Sequence, residues 1–156
     1  LLVERLGELH DHNIRVKFVG RREKRIPSRL VKRMDEAQAK TNGNTGMTLC
    51  IAFNYGSRAE LLDATKAIAA KALAGEIDIE KIDESLLVAN FYFPEMPDVD
   101  FLLRTSGEKR ISNFLLYQGA YAELIFTETL WPDMRRENLF EAIVEFQNRT
   151  RRFGAV

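Results

Sequence analysis

The run Met47–Phe53, Met-Thr-Leu-Cys-Ile-Ala-Phe, constrains the fold more than any other stretch of the chain. It is nearly continuous in apolar residues, preceded by Gly46 and followed by Asn54-Tyr55-Gly56. Such a run suits a strand buried on both faces of a parallel sheet. Three more strands are expected. Ile14–Val19 sets Ile14, Val16 and Phe18 against Arg15 and Lys17 and ends at Gly20. Val99–Leu103 and Ala122–Thr127 are the other two.

Helical patterns lie between them. Pro27-Ser28 opens one helix with Leu30, Met34 and Ala37 on one face, and Gly43 and Gly46 close that region. Ser57 and Glu60 read as a capping box for a helix to about Ala74 that buries Leu61 or Leu62, Thr65, Ile68, Ala69 and Ala72. Asp83 is expected to cap a short helix through Val88, and Phe91–Pro97 reads as a loop. After the turn Trp131-Pro132-Asp133, a last helix carries Leu139, Ile143, Phe146 and Thr150. Strands alternating with helices predict an α/β fold with a mostly parallel central sheet flanked by helices. Its crossovers are expected to be right-handed.

Length and charge narrow the function. The 156 residues suit a single domain, 1–156, and the 46% apolar and 29% charged residues are ordinary for a globular protein. The 23 basic and 23 acidic residues cancel, so there is no general pull toward nucleic acid or an anionic membrane, and any anion site must be local. The single cysteine, Cys50, has no internal disulfide partner; its apolar neighbours predict a buried structural thiol, which suits a reducing cytoplasm. No stretch approaches the ~18–20 apolar residues of a membrane span. The opening Leu1–Leu9 has helical spacing at Leu2, Leu6 and Leu9 with no cap ahead of it, so a fragment of a longer protein is expected.

In open α/β sheets, ligands sit at the carboxyl ends of the strands. The residues leaving those ends are Gly20-Arg21, Asn54-Tyr55-Gly56 and Arg104-Thr105-Ser106-Gly107, the composition of a phosphate site. Arg104 leaves a strand, Gly107 lets backbone approach a ligand, Arg110 returns a second guanidinium and Ser112 adds a hydroxyl. Two guanidinium forks and a hydroxyl suit a diphosphate, with exposed turn N–H groups adding to them. The competing reading pairs Arg104 and Arg110 with Asp100, Glu108 or Glu123 in a structural network. The stretch is neither a P-loop nor a dinucleotide fingerprint.

Arg104-Thr-Ser-Gly-Glu-Lys-Arg-Ile-Ser-Asn-Phe114, then Tyr117-Gln118, Ala120–Leu124 and Trp131-Pro132-Asp133, resembles the signature of the cis-prenyltransferase family, of the bacterial undecaprenyl diphosphate synthase type. Asn54-Tyr55-Gly56-Ser57-Arg58, Gly43-Asn44-Thr45-Gly46 and Arg151-Arg152-Phe153-Gly154 are similar to further motifs of that family, all in order along nearly the whole chain.

The resemblance implies roles. Arg104, Arg110 and Ser112 would bind the diphosphate of isopentenyl diphosphate. Glu123 would help hold Mg²⁺, although a solvated acid near a strand start is its plain reading. Arg152 and Gly154 would belong to a tail motif reaching the partner's active site in a homodimer, or else to a basic terminus. Ile14, Val16, Phe18, Met47 and Leu49 correspond to the wall of a tunnel for the growing chain, or to ordinary core. The second substrate would be an allylic diphosphate such as farnesyl diphosphate. The product would be a long-chain polyprenyl diphosphate, undecaprenyl in the bacterial type, serving as a lipid carrier for cell-wall synthesis. The protein would be cytoplasmic, touching the inner membrane face transiently through its lipid product.

Two departures limit this. Lys109 stands where some relatives have a His near the metal, so no metal role carries over to it. The motif His-x-x-Met-Asp-Gly-Asn-Gly-Arg-Trp, which supplies the family's catalytic Asp, does not occur in the sequence. The 156 residues are therefore expected to be inactive alone. The alternatives are a non-catalytic partner subunit of a heteromeric cis-prenyltransferase and a phosphate-binding module without transfer activity.

Overall fold

A computed structural model describes residues 5–23 and 26–149. In chain order it holds α1 (Leu6–Asp11), β1 (Arg15–Val19), α2 (Ser28–Thr41), β2 (Thr48–Ala52), α3 (Ser57–Leu73), α4 (Glu84–Val88), β3 (Phe101–Arg104), β4 (Glu123–Phe126) and α5 (Arg136–Gln147). Single 3₁₀ turns occupy Ile79–Lys81 and Trp131–Asp133. The chain divides between Pro94 and Glu95 into two compact units, each described in turn.

In the first unit β1 and β2 pair in parallel, with Val16 opposite Leu49 and Phe18 opposite Ile51. The other edge of β1 is closed by side chains of α2. The Val16 amide donates to Thr41 Oγ1 (3.0 Å) and the Phe18 amide to Gln38 Oε1 (2.7 Å). Thr41 is fully buried and donates in turn to the Ala37 carbonyl. These bonds satisfy an edge that would otherwise template foreign strands. Val16, Val19, Met34, Ala37, Ala64, Ile68, Phe91 and Phe93 form the core.

The α/β class and the parallel pairing are as expected. Among the described residues β1 bonds only to β2, and β3 only to β4. The expected burial of Met47–Phe53 on both faces fails: Thr48–Ile51 are half-buried, while Ala52, Phe53 and Met47 are exposed. Cys50 is half-buried rather than buried, and that burial pushes its thiol pKa up.

Helix α3 buries Ile68 as expected and half-buries Leu61 and Ala72, but the rest of its inward stripe differs from the expected one. Ser57, Glu60, Ala64 and Ile68 are buried, whereas Leu62 and Thr65 are exposed. There is no capping box at its start: Gly56 is the N-cap and Ser57 the first helical residue. Glu60 faces the interior because partners wait for it there, the Tyr55 hydroxyl (2.6 Å) and the Tyr92 amide (3.0 Å). The Asp83 cap is as expected, its carboxylate accepting from the Leu86 amide (2.8 Å) and the Ser85 hydroxyl (2.7 Å).

In the second unit β3 and β4 pair in parallel from Phe101 opposite Glu123 to Arg104 opposite Phe126. Ile125 and Ala142 are buried, and Phe146 of α5 stacks on Phe101 with ring centroids 5.2 Å apart. The apolar face read for the last helix is only partly covered, since Leu139 is exposed; Thr150 lies outside the described residues.

Candidate functional site

The second unit carries the arginine loop at the carboxyl edge of its ladder. Arg104 is the last residue of β3 and is half-buried. Its carbonyl accepts from the Thr127 amide beyond β4 (2.9 Å), so the strand is held in place to its end. Among the described residues its guanidinium has no hydrogen-bond or carboxylate partner. The chain then bends sharply. Ser106 (φ 68°), Gly107 (φ 67°), Ser112 (φ 49°), Asn113 (φ 62°) and Leu115 (φ 48°) all take the left-handed conformation. Four of these five are not glycine. Such residues cost of order 1 kcal/mol each and concentrate where a site imposes its geometry.

Two expectations about this loop need correction. The Ser106 and Gly107 amides do not point free toward a ligand: they donate to the carbonyls of Thr129 (3.0 Å) and Thr127 (2.9 Å). Gly107 is required for a different approach. A Cβ there would stand 2.4 Å from the Glu128 carboxylate, so Glu128 lies directly on the loop. Sequence reading missed Glu128, which stands alone among threonines and leucines with no spacing signal.

Of the structural network that competes with a ligand site, the Arg110–Glu108 pair is present. Arg110 is exposed and pairs with Glu108 two residues away. Glu108 is half-buried, but the arginine side of the pair faces solvent, where such pairs contribute little. Ser112 is exposed as well. Two arginines, one uncommitted and one weakly committed, and a hydroxyl therefore share one strained loop.

Glu123 begins β4 in the same unit. Its Oε2 accepts from Arg149 Nη1 at 2.8 Å, and Arg149 Nη2 binds Glu145 one turn earlier on α5. Among the described residues the second oxygen of Glu123 carries no partner. No group of three or more His, Cys, Asp or Glu side chains that could hold a metal occurs among the described residues. Among the described residues Glu123 could therefore offer a cation one hard oxygen. That suits Mg²⁺, which keeps waters and substrate phosphates as its other ligands.

The first unit offers a different edge. Gly20 (φ 127°) leaves β1 so close to the exit of β2 that a Cβ would stand 2.1 Å from the Phe53 carbonyl. The Arg21 amide donates to the Asn54 carbonyl (3.2 Å), and Asn54 Nδ2 returns a bond to the Arg21 carbonyl (2.9 Å). The Arg21 guanidinium is spoken for. Its Nε and Nη2 grip Asp63 at 2.8 and 2.7 Å, while the Tyr92 hydroxyl donates to the same carboxylate at 2.6 Å. Those bonds, the Arg21 one foremost, hold the Asp63 pKa down at about 2. Burial, reinforced by Asp63, pushes the Tyr92 hydroxyl up to about 12. Arg21 is therefore not the open anion-binding group that its position at a strand end suggested.

The five positions expected to line a tunnel or the core lie on or beside β1 and β2. Val16 is fully buried, Ile14, Phe18 and Leu49 are half-buried, and Met47 is 64% exposed. Arg152 and Gly154 lie outside the described residues.

Residues 1–154 match the family model described as "Putative undecaprenyl diphosphate synthase". Among curated relatives, "Isoprenyl transferase 2" of Streptomyces avermitilis is 47% identical over 150 residues, which is 96% of this chain and 52% of that protein. A ditrans,polycis-undecaprenyl-diphosphate synthase ((2E,6E)-farnesyl-diphosphate specific) of Vibrio parahaemolyticus is 44% identical over 154 residues, 99% of this chain and 61% of that protein. The chain thus spans between half and about three fifths of the length of these relatives. Among solved structures, lavandulyl diphosphate synthase from Lavandula x intermedia, in complex with dimethylallyl diphosphate, superposes with a TM-score of 0.91 at 30% identity, over 99% of this chain and 67% of that one. A probable undecaprenyl diphosphate synthase from Campylobacter jejuni gives 0.83 at 32% identity, over 99% and 69%. With the family model matched over residues 1–154 and solved relatives at 30% and 32% identity, the chain belongs to the undecaprenyl diphosphate synthase family of cis-prenyltransferases.

Proposed function

We propose that the protein transfers isopentenyl units from isopentenyl diphosphate to an allylic diphosphate, farnesyl diphosphate in the simplest case. Each transfer forms a cis double bond and releases pyrophosphate, and repeated cycles give a long-chain polyprenyl diphosphate. The observation that carries this reading is the half-buried Arg104 guanidinium, uncommitted among the described residues at the carboxyl end of β3. Its family membership supports the reaction class.

In this reading Arg104 and Arg110 take the diphosphate of isopentenyl diphosphate as paired forks, and Ser112 donates its hydroxyl to it. Arg110 exchanges Glu108 for the phosphate. These contacts fix the nucleophile's position, so the reaction gains from orientation rather than from proton chemistry in this loop. Glu123 would hold Mg²⁺, which supplies stabilisation of charge on diphosphate oxygens. Ile14, Val16, Phe18, Met47 and Leu49 would line the path of the growing chain. Arg152 and Gly154 would serve a second copy in a homodimer, a partner for which the exposed Phe114, Tyr121 and Leu124 leave apolar surface. Among the described residues no helix is long and apolar enough to cross a membrane. Contact with a membrane from the cytoplasmic side would come through the lipid product.

The test is a prenyl-transfer assay on the full-length protein with labelled isopentenyl diphosphate, farnesyl diphosphate and Mg²⁺, run beside Arg104→Ala. Loss of a charge-assisted, positioned donor pair is expected to lower kcat/KM by about 10²–10³-fold. The loss should appear largely as a raised KM for isopentenyl diphosphate, with the KM for farnesyl diphosphate little changed. Unaltered isopentenyl kinetics in Arg104→Ala would remove this loop from the site.

A further inference from the structure

We propose that Arg149 is a built-in counter-ion that occupies the metal carboxylate Glu123 until Mg²⁺ arrives with a diphosphate, and that Glu145 is the place to which Arg149 then withdraws. The proposal rests on the reading of Glu123 as the metal-holding carboxylate.

Arg149 lies just past the end of α5, and its amide closes the last turn on the Phe146 carbonyl (3.1 Å). A cation there already suits the negative end of a helix. Its side chain does more than cap. One arm reaches Glu145 on its own helix, and the other crosses to Glu123, 26 residues back at the start of β4. The two partners are unlike. Glu145 is a local i,i+4 neighbour, half exposed, and free to keep the arginine in any state of the site. Glu123 is less exposed, at 28% of its side chain, and belongs to the strand that carries the loop toward Glu128.

One side chain shared between a local acid and a site acid is a two-position device. With Arg149 on Glu123, the carboxylate's charge is compensated and one of its two oxygens is taken. A divalent cation approaching the other oxygen meets a guanidinium within the reach of unscreened repulsion. A diphosphate entering with the cation brings the missing negative charge, and Arg149 retains a partner in Glu145 when it leaves Glu123. Metal alone should therefore bind weakly, and metal with diphosphate well.

The experiment is a Mn²⁺ titration followed by water-proton relaxation on the full-length protein, first with Mn²⁺ alone, then with isopentenyl diphosphate added. Without an allylic partner no turnover occurs, so binding is read directly. Glu123→Gln is expected to weaken Mn²⁺ binding. Arg149→Gln is expected to tighten binding of Mn²⁺ alone by about fivefold, the scale set by a partly exposed ion pair. That gain should shrink once isopentenyl diphosphate is present. Arg149→Lys keeps the charge and should stay near the parent. Glu145→Gln, which leaves Arg149 only Glu123, should weaken Mn²⁺ about twofold and serves as the second handle should Arg149→Gln fail to fold. If Glu123→Gln weakens Mn²⁺ while Arg149→Gln leaves it unchanged or weaker, the counter-ion role is overturned and the metal reading of Glu123 stands. If Glu123→Gln changes nothing, the metal reading itself falls, and the counter-ion role with it.

Discussion

Each compact unit ends a parallel ladder with an arginine, and the two arginines have opposite fates. Arg21 follows β1 and is gripped by both oxygens of Asp63, which Tyr92 also binds. Arg104 ends β3, equally half-buried, with no partner for its guanidinium among the described residues. The surroundings differ in the same sense. After β1 the chain makes reciprocal backbone and side-chain bonds with Asn54, while after β3 it enters a loop with repeated left-handed residues. A strand end at the carboxyl edge is thus an opportunity for a site and no more. Where a carboxylate on α3 answers the arginine, the edge becomes structure; where none among the described residues does, the edge stays open to a ligand.

Exchanging the two arginines for alanine should separate the roles. Arg104→Ala carries the largest expected effect, the 10²–10³-fold loss in kcat/KM already given, with the melting temperature little changed. Arg21→Ala should do the reverse, lowering the melting temperature while leaving the KM for isopentenyl diphosphate near the parent value. Should both variants lose substrate affinity without losing stability, the contrast between the edges would be false. Next in size is Gly20→Ala. Its Cβ would overlap the Phe53 carbonyl at 2.1 Å in a conformation that side chains avoid. A cost of about 3 kcal/mol is expected, or roughly 6–12 °C in melting temperature for a chain of this size. Thermal unfolding of the variant measures it, and a melting point within a degree of the parent would mean that the β1 and β2 exits are not locked together.

How much of this could be read beforehand depended on distance along the chain. The four strands came from local patterns and lie within two residues of their expected places, and the Asp83 cap needs only Ser85 and Leu86 beside it. The Arg104–Ser112 loop was legible because its chemistry is contiguous. The fate of Arg21 was not legible, because its partner Asp63 is 42 residues away on α3. Glu60 was misread for the same reason. Its spacing from Ser57 imitates a capping box, while its real donors are the Tyr55 hydroxyl and, 32 residues on, the Tyr92 amide. Apolar residues misled in another way. Met47 and Phe53 extend the run that marks β2, yet the described ladder has one neighbour strand and leaves both exposed.

The smallest expected effect sharpens the comparison by pH. Asp63 has its folded pKa lowered to about 2 from an unfolded value near 3.9, so its contribution is present above about pH 4 and is lost as pH falls through about 2. The full shift would correspond to about 2.6 kcal/mol, but the side chain is about one third exposed, and solvent screening leaves about 1 kcal/mol. Tyr92 behaves oppositely. Its folded pKa is raised to about 12, so its contribution is complete below about pH 10 and is lost as pH rises through about 12. Asp63→Asn should flatten the acid limb of a stability–pH curve between pH 2 and 4, and Tyr92→Phe the alkaline limb between pH 10 and 12, each also shrinking the other limb because the two groups share a hydrogen bond. Arg104→Ala should leave both limbs as they are, because nothing that titrates in those windows holds Arg104. Urea unfolding across the two windows reads all three variants. An acid limb that survives in Asp63→Asn would show that the Arg21 clamp is not what distinguishes the first edge from the second.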